Sequence, residues 1–65
     1  MLITVNGNNR EVAEGASVAA LLEELNLQPD RVAVELNRRL LKTDRYSEPL
    51  KAGDQVEIVT FVGGG

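Results

Sequence analysis

One stretch of this sequence constrains the fold more than any other: Val18, Leu21, Leu22 and Leu25 recur at i, i+3, i+4 and i+7, a single helical apolar stripe with Glu23 and Glu24 turned to solvent. Ser17 stands ahead of it as an N-cap hydroxyl. Behind it Asn26 offers a left-handed stop, and Gln28-Pro29-Asp30 resists continuation. In a chain of 65 residues that helix supplies one wall of the only core, so the remaining apolar residues must form the other. A single domain spanning 1–65 follows, with 63–65 as a flexible glycine tail.

The other wall reads as β-sheet. Met1, Ile3 and Val5 alternate with Leu2, Thr4 and Asn6, which predicts a half-buried strand. A two-residue loop at Gly7-Asn8 places Ile3 opposite Val12, an apolar match, and gives strands near 1–6 and 9–13. The alternative loop, Asn6-Gly7, pairs Ile3 with Arg10. Val32, Val34 and Leu36 predict a third strand, Asn37-Arg38 a turn, Arg39-Leu40-Leu41 a short strand, and Thr43–Tyr46 an irregular or single-turn helical link. After a turn at Lys51–Asp54, residues 55–62 predict a last strand. The fold class is therefore α+β, a mixed sheet of about four to five strands with one main helix packed on one face, an arrangement of the β-grasp (ubiquitin-like) kind.

Composition removes most chemistry. Cysteine and histidine are both absent, which excludes disulfides, thiolate catalysis and the commonest general base. A net charge of −3 with 3% aromatic residues is opposite to the basic, aromatic-bearing surface of nucleic-acid binders. No long apolar run or leader pattern opens the chain, so no membrane association and a cytoplasmic location are expected. Glu23-Glu24 and the acids between Asp44 and Glu48 lack the oxygen spacing of a calcium loop, and no metal site is assigned. Tyr46 reads as a packing residue and the cluster Arg38, Arg39, Lys42 and Arg45 as a solvated turn. With no acid–base pair or nucleophile in prospect, catalytic residues are none and the chain is expected not to be an enzyme.

What remains is the end of the chain. Gly63, Gly64 and Gly65 alone are equally compatible with an inert frayed end, but they follow an apolar strand. Lacking Cβ atoms, they suit entry into a narrow channel, and from Thr60 to Gly65 an extended chain reaches roughly 20 Å. A carboxylate is a poor acyl donor until it becomes an acyl phosphate or adenylate. No Walker-type loop is present, so a separate enzyme must hold the ATP and Mg²⁺, and this chain binds no cofactor of its own. Val59 and Phe61 fall on the face of the last strand opposite Val56 and Ile58. They suggest, with Val62 and Leu2 beside them, a patch for docking partners; the alternative is core packing through a bulge near the chain end.

The run Gly53-Asp54, Val56-Glu57-Ile58-Val59, Phe61-Val62 and the final glycines resembles the end of the ThiS family of thiamine-pathway sulfur carriers. Asn6-Gly7, Gly15-Ala16-Ser17-Val18, Leu21-Leu22, Val32-Ala33-Val34-Glu35-Leu36-Asn37 and Arg45-Tyr46 extend the resemblance over essentially the whole chain. It departs at Arg38, where relatives often carry glycine, and at Leu41-Lys42-Thr43, which replaces a frequent proline-containing stretch. The resemblance implies a β-grasp carrier, monomeric when free, whose Gly65 carboxylate is adenylated by an E1-like enzyme and converted to a thiocarboxylate. Gly64 and Gly63 would give access. Sulfur would come from a persulfide enzyme and pass to thiazole synthase. Other readings of the same tail are a molybdopterin-synthase small subunit or a protein modifier forming isopeptide bonds. A TGS-like interaction module would need no free glycines.

Overall fold

A computed structural model of the chain describes residues 1–61; Val62, Gly63, Gly64 and Gly65 lie outside the described residues. Five strands form one mixed sheet: β1 (Leu2–Val5), β2 (Asn8–Glu11), β3 (Val32–Leu36), β4 (Arg39–Leu41) and β5 (Gln55–Thr60), in the order β2-β1-β5-β3-β4. β5 sits at the centre, parallel to β1 and antiparallel to β3. The helix α1 (Val18–Glu24) follows the first hairpin, and single 3₁₀ turns occupy Pro29–Arg31 and Thr43–Arg45. This is the expected α+β, β-grasp arrangement with one helix on one face.

Both ends of α1 follow from side-chain chemistry. Ser17 Oγ accepts a hydrogen bond from the Ala20 N–H at 3.1 Å, satisfying one of the orphan donors of the first turn. At the other end Asn26 takes the left-handed conformation (φ 58°), while the Leu27 N–H reaches the Leu22 carbonyl and the Asn26 N–H the Glu23 carbonyl. Those two bonds are the Schellman pattern, here closed by asparagine rather than glycine. Val18, Leu21 and Leu22 are fully buried against Ile3, Val34 and Val56, and each leucine so removed from water contributes about 1.5–3 kcal/mol. Leu25, the last member of the stripe, is only half-buried. Tyr46 and Leu50 close the core beneath the helix entry, with Tyr46 acting as a packing residue as its sequence context suggested.

The first hairpin adopts the register that apolar matching disfavoured. Ile3 pairs with Arg10 and Leu2 with Glu11, so the loop is Asn6-Gly7 rather than Gly7-Asn8, and the strands end at Val5 and Glu11. Turn chemistry decides this. A type I′ loop requires positive φ at both central residues, and Asn6 (φ 50°) followed by Gly7 (φ 82°) meets it at least cost. Arg10 is tolerated beside Ile3 because its stem lies along the rim of the core and its guanidinium reaches Glu24 at 3.3 Å. Val12 stays in the core through a bond from its N–H to the Met1 carbonyl.

The second hairpin turns at Asn37-Arg38 as expected, with φ 52° and 70°, and pairs Leu36 with Arg39 and Glu35 with Leu40. The expected single turn at Thr43 and the short strand at Arg39–Leu41 are both present. β5 ends at Thr60 rather than Val62, although the Phe61 N–H still bonds to the Arg31 carbonyl at 2.9 Å.

Candidate functional site

β5 is the last strand of the described residues, and two asparagines fix its backbone. At its start, Asn37 accepts a hydrogen bond from the Gln55 N–H at 2.9 Å through Oδ1 and donates to Asp54 Oδ1 at 3.1 Å through Nδ2. Asp54 in turn accepts from the Lys51 N–H, closing the turn that launches the strand. On the opposite edge β1 stops pairing after Val5. There the Asn6 side chain takes over the role of a further peptide unit: Oδ1 accepts from the Ile58 N–H at 2.7 Å and Nδ2 donates to the Ile58 carbonyl at 3.2 Å. The left-handed backbone that makes the turn also aims this carboxamide at β5.

Alternation along β5 then sorts its side chains. Val56 and Ile58 point into the core, whereas Val59 is 61% and Phe61 57% exposed, which excludes core packing as the explanation of their position. Val59 lies opposite Ala33 of β3. Leu2 does not join them. The parallel register sets Thr4 level with Gln55 and Val5 with Val56, and the Gly53 N–H bonds to the Leu2 carbonyl. Leu2 is therefore about 20 Å along the strand direction from Val59. Leu40, which sequence reasoning passed over, takes its place in the exposed face at 68% exposure, opposite Glu35.

An open groove of about 340 Å³ lies between the helix C-terminus and the end of β5, with Leu27, Arg31, Val32 and Phe61 among its walls. Among the described residues no group of three metal-ligating side chains comes together, and no helix is long and apolar enough to cross a membrane. The basic cluster is dispersed: Arg45 Nε donates to Glu48 Oε2 at 3.1 Å, a bond that raises the guanidinium pKa further, while Arg38, Arg39 and Lys42 project from the β3–β4 hairpin. Of the sequence-assigned site residues, the structure brings Val59 and Phe61 together on one face. Gly63, Gly64, Gly65 and Val62 lie outside the described residues.

The family model of the ThiS family matches residues 3–65. The chain belongs to the ThiS family. Its fold superposes with a TM-score of 0.80 on the crystal structure of a thiamine biosynthesis protein (ThiS) from Geobacter metallireducens, at 40% identity and over 100% of both chains. A ThiS sulfur carrier protein of Thermus thermophilus is 35% identical over 98% of this chain and 100% of its own length. A thiazole synthase of Paramagnetospirillum magneticum is 38% identical over 100% of this chain, which spans only 20% of that protein. Membership places the chain among small ubiquitin-like proteins whose named member is a sulfur carrier of thiamine biosynthesis, in agreement with the resemblance read from its terminal strand.

Proposed function

We propose that this ThiS-family chain carries sulfur as a thiocarboxylate on Gly65. The observation that supports the reading best is membership of the family over residues 3–65, a match that includes the terminal glycines, joined to a central strand clamped from both sides by Asn6 and Asn37. A rigid strand followed by side-chain-free residues presents a carboxylate to another protein's site while the domain stays outside. In the reaction, a Gly65 carboxylate oxygen attacks the α-phosphorus of ATP held by an E1-like enzyme, pyrophosphate leaves, and an acyl adenylate forms. A persulfide sulfur then attacks the acyl carbon, AMP departs, and reduction of the remaining sulfur–sulfur bond by a thiol releases the thiocarboxylate. Gly64 and Gly63 give access, and Val59, Phe61 and Val62 contribute a docking patch.

A thiazole synthase is the acceptor in this reading, supported by a relative of that name that contains a segment similar to the whole chain. The carrier is a co-substrate rather than a catalyst and works in the cytoplasm. Intact-mass analysis after incubation with the activating enzyme, ATP, Mg²⁺ and a persulfide donor tests the proposal: the mass rises by the difference between sulfur and oxygen. Deleting Gly65 abolishes that change and leaves the folded circular-dichroism spectrum intact. An unmodified full-length chain, under conditions that modify the Thermus carrier, refutes it.

A further inference from the structure

Activating a carboxylate on a protein exposes it to every amine that the chain itself carries. Of the seven Lys and Arg residues only Lys42 and Lys51 are amines, and the α-amino group of Met1 is the third. An arginine guanidinium stays protonated and does not compete as a nucleophile. The sheet registers decide which of the three amines a chain end leaving β5 can meet.

Met1 stands at the wrong end. Thr4 is level with Gln55 in the parallel pair, which sets Met1 about 26 Å back along the strand direction from Thr60. Its ammonium is also occupied: it donates to the Val12 carbonyl at 2.6 Å and lies 3.5 Å from the carboxylates of both Glu11 and Glu14. Lys51 belongs to the turn that opens β5, where its N–H bonds to Asp54. That turn lies about 20 Å from Thr60, which is the whole contour length of residues 60–65 drawn straight.

Lys42 stands at the right end. Leu41 pairs with Val34, which pairs with Ile58, so Lys42, one residue on and still extended (φ −77°, ψ 151°), falls level with Ala33 and Val59. Two strand spacings, about 10 Å, separate its Cα from that of Val59. Alternation turns its side chain to the face away from α1, since Leu41 packs against the core. Between Lys42 and Val59 the row holds only Ala33, so no bulky side chain stands in the way. Lys42 is exposed and, among the described residues, takes part in no ion pair. About half the contour length of residues 60–65 covers the gap, and glycine turns without steric cost.

We propose that Lys42 is an internal acceptor for the activated Gly65 carboxylate, so that a carrier adenylated without a sulfur donor closes into a ring over residues 42–65. The proposal rests on the sulfur-carrier reading, which supplies the acyl adenylate, and adds a second fate for it. Once the adenylate leaves the activating enzyme, the Lys42 Nζ lone pair attacks the Gly65 acyl carbon. The carbon–nitrogen bond forms, the carbon–oxygen bond to AMP breaks, and the surplus proton of the amine passes to water. The resulting isopeptide has no free carboxylate and is closed to further adenylation. A short tether gives the amine an effective concentration of about 1 mM, roughly a thousandfold above that of a second copy at micromolar protein, so the product is a ring and not a dimer.

The test incubates the full chain with the activating enzyme, ATP and Mg²⁺, without persulfide, and reads intact mass and a tryptic map. The monomer loses the mass of one water, and a branched peptide joins residues 52–65 to residues 40–45 through Lys42. Lys42→Arg removes that product and keeps pyrophosphate release at the parent's rate, whereas Lys51→Arg retains the product. Adding the persulfide donor diverts the chain to the thiocarboxylate and diminishes the ring. An unmodified parent that still releases pyrophosphate has undergone hydrolysis alone, which overturns the proposal and leaves activation of the carrier intact. A ring that survives Lys42→Arg, a link through Lys51, or a product joining two copies overturns it equally. No pyrophosphate release by the parent, under conditions that activate the Thermus carrier, overturns both readings.

Discussion

Replacing Asn6 by alanine removes the connection that carries β1 past its own last pair. Two hydrogen bonds to Ile58 disappear, and the half-buried Ile58 N–H and carbonyl lose their partners. Because the site is partly open to water, each orphaned group costs near the low end of the usual range, about 1 kcal/mol. Alanine at φ 50° adds about 1 kcal/mol of left-handed strain that asparagine tolerates and glycine avoids. Asn6→Ala is therefore expected to lose about 3 kcal/mol and Asn6→Gly about 2, against a total stability of about 3–10 kcal/mol for a chain of this length. Urea unfolding measures both values, and hydrogen exchange locates the loss: the Ile58 amide exchanges faster, while Leu21 and Leu22 amides in α1 follow only the change in global stability. Equal stability of the alanine variant and the parent, or unchanged Ile58 protection, refutes the assignment of Asn6 as a clamp on β5.

The second hairpin carries an arginine where its turn calls for glycine, so Arg38→Gly relieves a φ of 70° and is expected to raise stability by about 0.5–1 kcal/mol after the extra chain entropy of glycine is subtracted; thermal unfolding checks it. Leu22→Ala opens a cavity under a fully buried side chain and is expected to cost about 2–5 kcal/mol by urea titration, enough to unfold much of the population if the parent sits at the lower end of its range. Phe61→Glu puts a charge on a side chain already 57% exposed, so the Tm should move by less than about 3 °C while affinity for the activating enzyme or the synthase falls; unchanged affinity removes Phe61 from the docking surface.

The helix was legible in the sequence because its stripe, cap and stop all rest on local spacing, and Ser17 and Asn26 perform the roles their chemistry predicts. The second hairpin was legible for the same reason, with Asn37-Arg38 at its turn. The first was not, because an apolar match between Ile3 and Val12 competes with the turn preference of Asn6-Gly7, and the turn prevails. A cross-strand contact contributes a few tenths to one kcal/mol, and a long arginine can cover the same rim, whereas the positive φ values of a two-residue turn have no cheap substitute. Strand order was not legible at all, since alternation shows which face a residue takes and not which strand lies beside it. The error over Leu2 follows directly: it shares a face with Val59, but the parallel register with β5 puts it near Gly53. Lys42, Ala33 and Val59 fall in one row only once two registers are fixed, and that information does not exist in any one strand.

Placing β5 between β1 and β3 divides its side chains between the two faces of the sheet. Its inward residues, Val56 and Ile58, are part of the core that folding requires, and its outward residues, Glu57, Val59 and Phe61, are exposed. Asn6 and Asn37 act on the backbone, so they fix both sets at once without occupying either face. Among the described residues no second layer covers the far side of the sheet. The exposed face runs along the outward side of β5 up to Phe61. Substitutions on the outer face should therefore change affinity with little change in stability, and core substitutions the reverse.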